Sequence, residues 1–273
     1  MRMKTTTLGH ALILTAAVAL MAAPPASAQS STEDLAKQLA NPIASLISVP
    51  LQLNWDQDIG PVDDGEKLLL NIQPVIPITL NSKWNVISRT IVPLVHQDEI
   101  FPGAGSQTGF SDVVQSVFFS PKDPTDSGWI WGAGPVFLFP TGTDELLTTD
   151  QWGIGPTGVA LKQDGPWTYG ALANQMWSIA GSDDRPNLNA TFFQPFLSYT
   201  TPTAWTYTIQ SETTYDWEDA GLAVPVNLLA TKVVKLGNQL ASVGGGVRYW
   251  VDSTANGPEG FAFRVMFTLL YPK

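Results

Sequence analysis

Beyond Pro42 the chain is written largely with a period of two. Phe261, Phe263, Val265, Phe267, Leu269 and Tyr271 alternate with Ala262, Arg264, Met266 and Thr268. Trp205, Tyr207, Ile209, Tyr215 and Trp217 alternate with Thr206, Thr208, Gln210, Glu212 and Thr214, and Leu68, Leu70, Ile72 and Ile76 oppose Lys67, Asn71 and Gln73. Such a period places the two sets on opposite faces of a strand. It predicts twelve strands, over 46–56, 67–80, 83–95, 110–121, 128–140, 151–163, 167–180, 188–200, 204–217, 223–236, 239–252 and 260–272. They run about 11–14 residues, against roughly 5–6 for a globular strand and about 9–11 for the membrane-crossing part of a tilted one.

Alternation alone does not separate a soluble sandwich, with its apolar face in the core, from a membrane barrel, with its apolar face on lipid. Connection lengths do. The odd connections are long (57–66, 96–109, 141–150, 181–187, 218–222 and 253–259), whereas 81–82, 164–166, 201–203 and 237–238 are tight and 122–127 is the exception. Short turns at one end and longer loops at the other, with an even strand count, are the outer-membrane pattern. Trp55, Trp84, Trp129, Trp152, Trp167, Trp205, Trp217, Trp250 and Tyr271 fall near strand ends, where interfacial girdles form. The expected fold is therefore all-β: an antiparallel transmembrane β-barrel of about twelve strands. Pro50, Pro74, Pro77, Pro93, Pro135, Pro156, Pro195 and Pro225 interrupt the proposed strands and predict bulges or local breaks in pairing.

One segment reads as a helix. Ser31–Asn41 offers Ser31 as N-cap, Asp34 three residues on, and Asn41-Pro42 as a stop. As the lone helix ahead of an all-strand chain, it is expected to lie at the periplasmic end and partly occlude the lumen. Before it, Arg2 and Lys4, the apolar 11–23 run and Ala26-Ser27-Ala28 predict a secretory signal peptide over 1–28, too short in its apolar part for a spanning helix. The organisation is then signal peptide 1–28, helix and lead-in 29–45, and barrel 46–273.

Composition narrows the chemistry. There is no Cys among the 273 residues, which excludes disulfides and thiol catalysis, and the net charge of −10 argues against nucleic acid as a partner. Without the leader, 12 basic residues face 24 acidic ones and His96 is the one histidine left. A Ser-His-Asp device would have to use His96, which opens an acidic stretch with no nucleophile motif beside it, so no catalytic residue, cofactor or metal ligand is expected. Many carboxylates, Asp56, Asp98 and Asp252 among them, fall in the outer connections and adjoining strand ends. They read as solvated loop charges, and no Asp-x-Asp-x-Asp-Gly loop is present.

Several stretches resemble a known group: Leu39-Ala40-Asn41-Pro42, Trp131-Gly132-Ala133-Gly134-Pro135, Trp152-Gly153-Ile154-Gly155-Pro156-Thr157, Thr213-Thr214-Tyr215-Asp216-Trp217 and Leu270-Tyr271-Pro272-Lys273. The chain is similar to a proteobacterial outer-membrane transporter family, often mislabelled "neuromedin U", and to the barrels of phenol meta-degradation pathways. The resemblance implies an outer-membrane barrel with a transport role, and apolar or aromatic cargo. Outer-membrane lipid, lipopolysaccharide and the barrel-assembly machinery are the partners that such a location implies. A terminal aromatic is usual for assembly, whereas Pro272-Lys273 follow Tyr271 here, which moves the expected signal to the Phe263–Tyr271 alternation.

Candidate lumen residues follow from the polar faces. Arg248 and Arg264 fall at similar distances from the loop that joins their strands, and Glu212 lies near the same level. Asn71 is comparably placed, Arg89 is deeper, and Asp112 lies near the outer rim. Inward charges at a narrow point are one way a pore selects ions; the same charges could instead neutralise one another in a filled, closed barrel that acts through its acidic loops. Lys232 shares a face with Leu228, Ala230 and Val234, which marks either a lipid-side lysine or a bulge.

Overall fold

A computed structural model describes residues 31–272; the predicted signal peptide lies outside the described residues. One helix, α1 (Thr32–Leu39), precedes fifteen strand segments: β1 (Ile47–Ile59), β2 (Gly65–Ile72), β3 (Val75–Thr79), β4 (Trp84–Asp98), β5 (Ser106–Phe110), β6 (Val113–Pro121), β7 (Trp129–Phe139), β8 (Gln151–Asp164), β9 (Trp167–Gly181), β10 (Asn189–Thr200), β11 (Trp205–Ser211), β12 (Thr213–Asp216), β13 (Gly221–Leu236), β14 (Gln239–Asp252) and β15 (Gly260–Tyr271). β2 with β3, β5 with β6, and β11 with β12 each make one staff broken in the middle, so the segments form a closed barrel of twelve antiparallel strands. Closure is made by β15 against β1, from Ile47↔Tyr271 to Trp55↔Phe263. Among the described residues no sheet edge is left open, which is what a barrel needs to sit in lipid.

The three breaks explain some of the prolines. At each break a proline carbonyl on the neighbouring strand receives the N–H of the interrupting residue: Gln73 to Pro50 at 2.8 Å, Ser111 to Pro93 at 3.0 Å, and Glu212 to Pro225 at 3.2 Å. A proline gives the ladder no N–H of its own, so regular pairing stops opposite it. Between β4 and the β5–β6 staff the register shifts by one residue there, and Pro225 itself adjoins a bulge against β14.

The first and last described residues lie at one end of the barrel, which also carries the connections 80–83, 122–128, 165–166, 201–204 and 237–238. Gly165 and Gly237 open the two tightest of these, each with a positive φ (55° and 61°) at the first turn position, the geometry of a two-residue hairpin. The far end carries the longer loops, 60–64, 99–105, 140–150, 182–188 and 253–259, with a short 217–220 connection. Some strands run further than their sequence pattern predicts. β4 continues to Asp98, so His96 is a strand residue on the outward face, bonded through Nδ1 to Thr108 at 2.7 Å, and not the start of a loop.

The outer wall is apolar: Leu53, Phe193, Leu197, Val247, Phe263 and Val265 are all exposed. Trp84, Trp129, Trp167, Trp205 and Tyr271 stand toward the near end, and Trp55, Trp152 and Trp217 toward the far end. Edge-to-face pairs such as Trp167–Tyr199 at 4.8 Å join neighbouring strands. Trp250 departs from the predicted girdle and turns inward. Lys232 keeps the regular outward register of β13, with Nζ 5.3 Å from the Trp205 ring, so it is an interfacial lysine and marks no bulge.

The helix lies inside the near end. Ser31 caps it, with the Ser31 hydroxyl accepting from the Asp34 N–H and the Asp34 carboxylate receiving the Ser31 N–H in return. It ends at Leu39, slightly before Asn41-Pro42. Its apolar side, Leu35 and Ala36, packs with Ala44, Leu46, Ala204, Val233 and Leu270. Ile43 continues the contact onto Ile87, Phe118, Val159, Leu161 and Leu172 on the opposite wall. Residues 32–46 thus span the lumen from wall to wall.

Candidate functional site

The lumen wall is built by the polar halves of the alternating strands. On β1, Ser48, Gln52, Asn54 and Asp56 are buried on the inside while Leu51, Leu53 and Trp55 face out. On β14 the stretch Gly244-Gly245-Gly246 precedes Arg248, and a Cβ at Gly246 would stand 1.9 Å from the Leu228 carbonyl oxygen. Gly246 is the partner of Arg264, so no side chain rises between Arg264 and the far side of β13.

Arg264 uses that gap. Its side chain is entirely buried, with Nε donating to Asn54 Oδ1 at 2.7 Å and its two terminal nitrogens to Glu212 Oε1 and Oε2, each at 2.7 Å. Arg248 donates to the same carboxylate, to Asp56 Oδ1 at 3.3 Å and to Asn227 Oδ1 at 3.1 Å. Trp250 Nε1 donates to Asp56 at 2.9 Å, and its ring lies 5.2 Å from the Arg248 guanidinium. Two arginines and two carboxylates therefore form one closed network over β1, β12's leading edge, β14 and β15. A fork on a carboxylate is the strongest form of such a contact, and mutual pairing is what makes these buried charges tolerable.

Of the predicted lumen residues, the structure brings Glu212, Arg248 and Arg264 together. The two arginines are one inward position apart, because Arg264 pairs with Gly246 and Arg248 with Ala262. Arg89 lies nearer the plug and donates to Gln73 Oε1 at 2.9 Å. Asn71 faces the lumen opposite Gln52. Asp112 is elsewhere: it accepts from Gly142 N, Thr148 Oγ1, Thr149 N and Thr149 Oγ1 and so fastens the 140–150 loop. Asp56, counted in the sequence among the outer acidic residues, is 4 % exposed and belongs to the inner network. Its period-two spacing from Gln52 and Asn54 carries that signal. Asn54, Gln73 and Asn227 also bond the lumen arginines; as neutral polar residues they carry no charge signal that separates them from the rest of a polar face.

Below the network lies a cavity of about 210 Å³, bounded by the plug residues Leu39, Pro42 and Ala44 and by wall residues including Gln52, Gln73, Arg89, Gln194, Phe196, Gln210 and Thr268. Gln210 Nε2 donates to Glu212 at 3.1 Å and Gln194 to Gln210 at 3.2 Å, which ties the wall of the cavity to the charged network. A closed barrel with an apolar outer belt, a charged layer and an internal plug is a membrane-spanning design.

The fold is that of an outer-membrane barrel. A crystal structure of an outer-membrane channel from Pseudomonas putida F1 superposes with a TM-score of 0.65 at 12% identity, covering 83% of this chain and 96% of that one. The NanC porin superposes with a TM-score of 0.51 at 10% identity, covering 83% of this chain and 100% of that one. No family model matches the sequence, and no curated relative matches it either.

Proposed function

We propose that this barrel is a channel or transporter of the outer membrane that passes small molecules through its lumen. On this reading the near end faces the periplasm, the long loops face outward, and lipid and lipopolysaccharide surround the apolar belt. The observation that carries the reading is the cavity between plug and charged layer: open space in the middle of a barrel, lined by both polar and apolar side chains. The neighbouring folds, one of them described as a channel and one as a porin, support it. His96, the one histidine among the described residues, stands on the outward face bonded to Thr108 and away from the cavity, so it takes no part in the lumen site. The family resemblance adds apolar or aromatic cargo and assembly by the barrel machinery, and the Phe196, Leu39 and Met266 surfaces of the cavity are compatible with such cargo.

The test is single-channel recording in planar bilayers together with liposome swelling. Discrete conductance steps and swelling by small solutes are expected. Absence of both, from protein shown to be folded and inserted, would leave a closed barrel acting through its loops. Cell fractionation checks the location: mature protein beginning at Gln29 should sediment with the outer membrane, and recovery in the soluble periplasm would overturn it.

A further inference from the structure

The lumen holds an arginine that the charged network does not use. Arg248 and Arg264 are committed to Glu212, Asp56, Asn54 and Asn227. Arg89 forms no ion pair among the described residues; its one hydrogen bond to another side chain is the donation to Gln73. A guanidinium has five N–H donors in a fixed fork. Glu212 acts on Arg89 through space, but its oxygens already receive Arg248, Arg264 and Gln210. Arg89 lines the cavity, where the amides of Gln52, Gln73 and Gln210 supply further polar partners and Phe196, Val75 and Met266 supply apolar wall.

We propose that this cavity is a binding site for a small organic carboxylate, anchored by Arg89. A planar carboxylate matches the guanidinium fork, and a monoanion neutralises the charge of Arg89, which has no ion-pair partner among the described residues. The volume, about 210 Å³, is below the roughly 300–1,000 Å³ of drug-sized pockets, which restricts the ligand to a compact body. That body rests against the apolar wall while the carboxylate takes the fork. The acidic outer loops do not forbid such a ligand. Arg89 lies nine residues before the outer end of β4 at Asp98, roughly 30 Å along the strand, and exposed charges are screened over about 8 Å at physiological ionic strength.

The proposal rests on the channel reading for the ligand's route, but its test does not. Isothermal titration calorimetry on detergent-folded protein would compare benzoate with benzamide, which has the same ring and no charge. Wild type is expected to bind benzoate and to bind benzamide at least tenfold more weakly, the scale of a lost charge-assisted contact. Arg89→Gln should lose the benzoate preference, and Arg89→Lys should retain part of it. Equal binding of the two probes by wild type, no binding of either, or an undiminished preference in Arg89→Gln would each overturn the site. Binding without conductance would sink the channel and leave the site standing, while conductance without Arg89-dependent binding would do the reverse.

Discussion

At the scale of single residues, Glu212 bears the greatest load. It takes three hydrogen bonds from two arginines, one of them fully buried, and sits where the staff of β11 and β12 is interrupted. Removing one partner of a buried ion pair leaves the other charge uncompensated, at roughly 3–5 kcal/mol. Glu212→Gln should therefore lower the unfolding free energy of the barrel by an amount in that range, seen as a lower midpoint in urea titrations in detergent. An unchanged midpoint would mean that water in the lumen solvates the arginines. Asp112 makes a separate prediction. With its four acceptor contacts gone, Asp112→Ala should free the 140–150 loop, and limited proteolysis should cut near Thr143–Thr149 in the variant and not in wild type. These two residues also show what the sequence conveys about a site. Alternation places Glu212, Arg248 and Arg264 on inward faces, because the period survives the strand break. It does not say which inward charges meet. That depends on Gly246 leaving a gap beside Arg264 and on loop 140–150 folding back over Asp112, and neither is a periodic feature.

At the scale of elements, the strands and their order were legible because each staff repeats one signal over many residues. Their ends were less so. The sequence pattern makes His96 the first residue of a loop and Asp56 the last of its strand, yet pairing continues past both, to Asp98 and to Ile59. The prolines gave a second difficulty: a proline inside an alternating run counts against a strand, and its resolution lies on the neighbour. Pro50, Pro93 and Pro225 each accept from a residue of the interrupted strand beside them, a cross-strand relation invisible in any single window. The capped helix was readable locally, and its placement inside the lumen follows from its short apolar side, Leu35 and Ala36, which needs a surface to cover it. That surface is the near-end inner wall, including Val233 and Leu270. Because the barrel closes through β1 and β15 without the helix, deletion of residues 31–41 should leave assembly intact and raise conductance. Heat-modifiable migration on gels would check the first, and bilayer recordings the second. Unchanged conductance with a folded barrel would mean that residues 42–46, or the charged layer, set the narrowest point.

At the scale of the whole molecule, the charges are divided by location. The inner wall carries Arg89, Arg248 and Arg264, with Lys67 on the same face as its partner Asp56, against the two carboxylates Asp56 and Glu212. The outer loops are predominantly acidic, with Asp63, Asp64, Asp144, Asp183 and Asp184 all exposed. On the proposed channel reading, this division gives the lumen an anion preference and the mouth a cation preference, and the two differ in how salt affects them. Exposed loop charges act over a screening length of about 30 Å at 0.01 M but only about 3 Å at 1 M, whereas partly buried lumen charges are screened much less. The reversal potential across a KCl gradient should accordingly move toward anion preference as total ionic strength rises. Within the lumen the sign is set by the network. Arg248→Ala with Arg264→Ala removes two positive charges and leaves Glu212 and Asp56 unopposed, so selectivity should shift toward cations. Glu212→Ala releases both arginines and should shift it toward anions. If neither variant moves the reversal potential while both stay folded, the network is a structural brace that ions do not pass. The permeation path then runs beside the network, past Asn71 on β2 and Arg89 on β4.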